Sequence, residues 1–146
     1  MQEMLLALVL AALAGATMAL QGALNSALGK VLGWLETTLV VHVVGTAAAA
    51  VALFLWAEGT WEHWRQAPWY TYLGGILGVP IIYGVVRSIP AVGVAAATTA
   101  ILLAQIFCAS LIDHLGLFGL QRISFSWYRL MGSLLMAGGA WLLLKR

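Results

Sequence analysis

Few groups in this 146-residue chain could do chemistry: three histidines, five carboxylates and one cysteine. His42, His63 and His114 have no metal-ligand spacing, and neither an H-E-x-x-H nor a G-x-S-x-G element occurs. No enzyme, metal centre or cofactor is therefore expected. Cys108 is alone, so it cannot close an intrachain disulfide. What remains is a set of polar side chains in apolar surroundings. Thr17, Gln21 and Asn25 are spaced by four, as are His42 and Thr46, so each set shares a helix face. Tyr83 follows Pro80, and Thr98, Thr99 and Gln105 precede Asp113 and His114. Amide, imidazole and phenol groups at such positions can hydrogen-bond a polar solute, while imidazole and carboxylate can carry a proton. Structural readings fit the same residues. Gln21 and Asn25 could join helix to helix, for about 0.6–2 kcal/mol. His42 could be a neutral, satisfied interhelical group, and Asp113 and His114 could cap a helix end.

The elements that must hold these groups follow from composition. The chain is 63% hydrophobic and 8% charged, with seven Lys and Arg and five Asp and Glu. Soluble domains carry roughly 25% charged residues, so a soluble domain is excluded. Uncharged runs extend from Met4 to Gly29, Thr37 to Ala57, Gln66 to Val86, Ser88 to Ile112 and Leu130 to Leu144. A bilayer core of about 30 Å needs roughly 20 helical residues. Four runs reach that length, and the fifth does so by extending past Arg129, whose side chain can snorkel to the headgroups. The expected fold is all-α and integral to the membrane. It is a single transmembrane domain with five helices near residues 4–29, 37–57, 68–87, 90–112 and 125–144. The tryptophans agree: Trp34, Trp56, Trp61, Trp64, Trp69, Trp127 and Trp141 all fall in connections or near span ends, where indole prefers the headgroup level. Lys30 to Glu36 should join helices one and two. Arg87 to Pro90 should join three and four, with Pro90 opening the fourth. Asp113 to Ser126 reads as an interfacial or re-entrant segment.

The first run is preceded by Glu3 and by no basic residue, and it outlasts the roughly 7–15 residues of a signal-peptide core, so it is expected to stay as a helix. The net charge of +2 is spread singly over helix ends, which argues against nucleic-acid binding. With five spans, Arg65, Arg122 and Arg129 lie on one side and Lys30, Arg87, Lys145 and Arg146 on the other. So small a bias either fixes orientation weakly, through Lys145 and Arg146, or lets the chain insert both ways. The second case predicts an antiparallel homodimer, rebuilding inverted repeats from one sequence. Polar groups toward opposite faces (Gln21, Asn25, His42 and Tyr83 against Gln105 and Asp113) would then line a cavity at both levels. Gly22, Gly74, Gly78, Gly132 and Gly139 offer surfaces for close helix packing.

Several segments carry a family resemblance. Gln21-Gly-Ala-Leu-Asn25-Ser-Ala-Leu-Gly29 is followed by Val43-Val-Gly45-Thr46 and Gly74-Gly-Ile-Leu-Gly78. Then come Ala104-Gln105 and Ser110-Leu-Ile-Asp113-His114-Leu-Gly116-Leu-Phe-Gly119. Together these resemble the short, YdcZ-type family of inner-membrane exporters in the drug/metabolite transporter superfamily, with Ala104 and Leu115 departing from the usual glycine and phenylalanine. The resemblance implies five-helix units working as ten-helix assemblies in the bacterial cytoplasmic (inner) membrane, and export of a small molecule. No Asp or Glu lies at the centre of any span, which counts against a proton antiporter built on one deep carboxylate and leaves His42 or Asp113 as candidates. Related four-helix exporters use an acidic residue deep in helix one, which this sequence lacks, so the resemblance does not carry proton-coupled antiport to this chain. The expected cavity lining is Gln21, Asn25, His42, Tyr83 and Gln105, with Asp113 and His114 as gate or coupling site. The expected partners are a small-molecule substrate, membrane lipids and a second copy of the chain. A lipid or lipid-linked sugar flippase and a non-transporting scaffold are the alternatives.

Overall fold

The computed structural model describes residues 2–57, 59, 61–124 and 126–145, the side chains of 61 and 63 excepted. Arg146, counted above among the orienting charges, and the side chains of Trp61 and His63 lie outside the described residues. All regular elements among these residues are helical: α1 (Gln2–Leu32), α2 (Trp34–Trp56), α3 (Leu73–Val92), α4 (Val94–Leu115) and α5 (Trp127–Leu144). Short 3-10 turns span Trp61–Gln66 and Trp69–Tyr72 before α3, and Leu117–Gly119 after α4.

Four helices are long and apolar enough to cross a membrane: Gln2–Leu32, Trp34–Trp56, the continuous stretch Trp69–Val92, and Val94–Leu115. In hydrocarbon every backbone N–H and C=O must find its partner inside the segment, so an uncharged run of this length forms a helix. At 31 residues, α1 is about 46 Å long and exceeds the hydrocarbon core. The remaining helix, α5, has 18 residues and opens on Trp127-Tyr-Arg129. Its start is set by Ser126, whose hydroxyl accepts from the Arg129 N–H at 3.4 Å.

The connections differ from those expected at Lys30–Glu36 and Arg87–Pro90. A single glycine interrupts each helix pair. Gly33 has φ 99 and ψ 165, and Gly93 has φ 90 and ψ 161. That backbone region is open essentially to glycine alone, which is why each break falls at Gly. The helical pattern resumes at once, with Thr37 N–H donating to Gly33 O (3.2 Å) and Ala97 N–H to Gly93 O (3.1 Å). Pro90 therefore does not open the fourth helix. It lies inside α3, as does Pro80, and each contributes no N–H to the ladder.

The chain divides into two compact units, Met1–Ala91 and Val92–Arg146. In the first, α1 packs on α2, and the buried residues of α1 are Gly22, Asn25, Ser26 and Gly29. Thr37 and Thr38 of α2 and Val86 and Ile89 of α3 complete this core. The contact depends on absent side chains: a methyl at Gly22 would meet Val85 Cγ1 at 3.0 Å, and one at Gly29 would overlap Val86 Cγ1. Gly78 faces His42 in the same way. Of the other glycines expected at helix contacts, Gly74, Gly132 and Gly139 have nothing within 4 Å of where a methyl would stand. In the second unit α4 packs on α5, and Ala97 and Ala140 are its buried apolar residues.

Candidate transport site

Several hydroxyls within the helices are spent on their own backbone. Thr17, Thr38 and Thr99 donate to Leu13 O, Trp34 O and Ala95 O at 2.8–2.9 Å, and Ser133 donates to Arg129 O at 2.9 Å. This back-bonding to the preceding turn is how a helix satisfies hydroxyls without a partner helix. Thr37 departs from it. Its side chain is 0% exposed, and its Oγ1 has no hydrogen-bond partner among the described residues.

The first unit holds further polar groups at partly or fully buried positions. Asn25 and Ser26 are buried on α1, and Thr38 is buried on α2. His42 is half-buried, with Nδ1 2.7 Å from Thr38 O. Tyr83 meets the Trp34 ring edge-on at 6.4 Å between centroids, and its hydroxyl accepts from Arg87 Nη1 at 3.4 Å. The Arg87 guanidinium lies 4.8 Å over the Trp34 ring. Trp34, the first residue after the Gly33 break, is thus clasped by two side chains of α3. Gln21 belongs to the same α1 stripe as Asn25 by spacing but is exposed.

The second unit holds a cavity of about 500 Å³ between α4 and α5. Leu103, Ile106, Phe107 and Met136 supply apolar wall, and Ser110, Ser133 and His114 supply the polar groups. Beside this polar end Arg129 Nη1 lies 3.1 Å from Asp113 Oδ2, each side chain about a third exposed. Asp113 thus pairs with α5 and does not cap α4 with its side chain. The helix end is closed by Gly116 in the left-handed region, whose N–H donates to Asp113 O at 3.3 Å. The segment that follows turns back on α4, with Ile123 N–H donating to Asp113 O at 2.8 Å and Arg122 Nε to His114 O at 2.9 Å. Gln105 is exposed on α4.

Of the expected lining residues, the first unit buries Asn25 on α1, sets His42 against Gly78 and turns Tyr83 to Trp34, and the second brings His114 to the cavity with Asp113 beside it. Sequence reasoning missed Thr37, Thr38, Ser110, Ser133 and the partner of Asp113. Ser110 carried a signal, because it precedes His114 by four and so shares its face.

Four long apolar helices define an integral membrane protein. Its family is shown by a family model described as "Putative inner membrane exporter, YdcZ", which matches residues 6–142. The chain belongs to that family, and it is a multi-pass inner membrane protein. No curated protein and no solved structure matches it.

Proposed function

We propose that the chain is one subunit of an exporter for a small amphipathic or polar metabolite, working by alternating access as an antiparallel homodimer. The observation that carries this reading is the α4–α5 cavity, whose apolar wall and polar end with Ser110, His114 and Ser133 suit a solute with both characters. In this reading α5 is the fifth span, with Arg129 at headgroup level, and each dimer has ten. Asn25, His42 and Tyr83, with the exposed Gln21 and Gln105, line the solute path. The Asp113–Arg129 pair with His114 forms the gate. The protein binds solute and lipid, acts on no nucleic acid, and converts nothing chemically.

Antiparallel assembly rests on the near-balance of basic residues, three against four, and reporters on both termini test it. The C-terminal reporter is expected on both membrane faces, shifting to one face when a few lysines are added to one side. One fixed orientation in the unaltered protein would overturn the antiparallel homodimer.

The gate has its own test. A pair this exposed contributes at most about 1 kcal/mol to stability, so Asp113→Asn should unfold close to wild type. Export of a fluorescent amphiphile from vesicles should nevertheless fall at least about tenfold, and the exchange Asp113→Arg with Arg129→Asp should recover part of it. Unchanged export in Asp113→Asn would remove the pair from the mechanism.

A further inference from the structure

His42 is held in one tautomer. Its Nδ1 lies 2.7 Å from the Thr38 carbonyl oxygen. A carbonyl accepts and never donates, so Nδ1 carries the hydrogen. In the neutral ring Nε2 is then a bare lone pair, and among the described residues it has no hydrogen-bond donor. That atom is aimed at α3. A methyl built on Gly78 would stand 2.8 Å from Nε2, with the two ring carbons beside it at 3.8 Å, so the ring points end-on at the glycine. It is the end of the imidazole that meets α3 here, and a methyl at Gly78 would require the ring or the helix to shift.

From this juxtaposition the geometry points to His42 as the proton-coupling site of the transporter, with Gly78 as the surface its proton must displace. This deepens the exporter reading and rests on it for the word transporter. The Nε2 lone pair takes a proton from hydronium in water entering from one face, leaving imidazolium and water. The same N–H bond later breaks, and the proton returns to water on the other face. In the closed arrangement imidazolium would press a new N–H against the Gly78 backbone with no acceptor facing it, so protonation favours separation of α3 from α2. Among the described residues of this unit, no salt bridge or hydrogen bond reaches Nε2. The other titratable groups of the three helices are Glu3 and Lys30 on α1, Glu36 on α2, and Tyr83 and Arg87 on α3. Glu3 lies at the start of α1. Arg87 and Tyr83 are turned to Trp34, and Lys30 and Glu36 flank the Gly33 break. Asp113, the other candidate carrier, already faces Arg129.

The test needs no solute. The full chain with Cys108→Ala, reconstituted in bilayers, carries spin labels at the exposed positions Ala47 and Leu77. The fraction of longer α2–α3 distances is expected to rise at least about twofold from pH 8 to pH 5. His42→Asn, which keeps a donor for Thr38 O and has no basic nitrogen, should stay short at both pH values. Gly78→Ala should be long at both. Nitrogen-15 spectra of histidine-labelled protein at neutral pH should show His42 protonated at Nδ1 and bare at Nε2. The opposite tautomer, no distance change in the parent, or a change that persists in His42→Asn would each overturn the assignment. A single fixed orientation in the reporter assay would strike at the antiparallel reading and leave this titration untouched.

Discussion

Replacing Gly33 by alanine is expected to lower stability by about 1–3 kcal/mol, a cost of the order set by a side chain in backbone space reserved for glycine. With φ 99 and ψ 165, the residue lies where L side chains rarely go. An added methyl would also stand 2.5 Å from Glu36 Oε2. The second effect is the milder one, because the end of a glutamate side chain can move. Gly33→Ala combined with Glu36→Ala should therefore recover only a small part of the loss. Gly15 and Gly45 are the controls. Both are helical with open space around them, so alanine there should be neutral or stabilising by up to about 1 kcal/mol. Reversible unfolding in mixed micelles measures all four variants. If Gly33→Ala matches Gly45→Ala, the break at Gly33 does not need its backbone conformation.

The second large effect is at Gly29, and it has a different cause. Gly29 is an ordinary helical residue, so alanine would suit its backbone. The obstacle is Val86, 0% exposed on α3, whose Cγ1 would overlap the new methyl. Neither side can yield easily, because one is a helix backbone and the other a short, branched side chain with stiff χ1. Overpacking of this kind costs about 1–3 kcal/mol, against a gain of about 1 kcal/mol in helix propensity. Gly29→Ala should therefore destabilise, while Gly29→Ala with Val86→Ala should lie nearer wild type than the single change. A coupling of about 0.5–3 kcal/mol between the two sites is expected from the cycle. Strict additivity would show that α1 and α3 do not meet there.

These two glycines show where sequence reading succeeded and where it stopped. Gly22 is legible as a small-residue contact on helix one, and it is buried, as is Ser26 one turn on. Gly29 continues that stripe, yet nothing in the sequence says that Val86 fills the space before it. Thr17, Gln21 and Asn25 share a face by spacing, but only Asn25 is buried. Spacing gives direction around a helix, while burial also depends on height, and the buried residues of α1 lie only from Gly22 to Gly29. The break before α4 was read from Pro90, the stronger local signal. It falls at Gly93, because a proline can be absorbed within a helix at the loss of one hydrogen bond, whereas φ of 90 cannot be adopted cheaply by valine or alanine.

What the sequence by itself determined is the medium and the elements. Scarce charge and long apolar runs require lipid, and lipid requires helices, because the hydrogen bonds that satisfy the backbone there are local to each segment. The tryptophans and single basic residues marked the ends for the same local reason. Only the tertiary structure decided the pairings: Gly29 with Val86, His42 with Gly78, Asp113 with Arg129. Each joins residues on different helices, at a separation no periodicity encodes. Whether a polar side chain is a solute ligand, a proton carrier or half of an ion pair is set by what faces it, and what faces it is a property of packing.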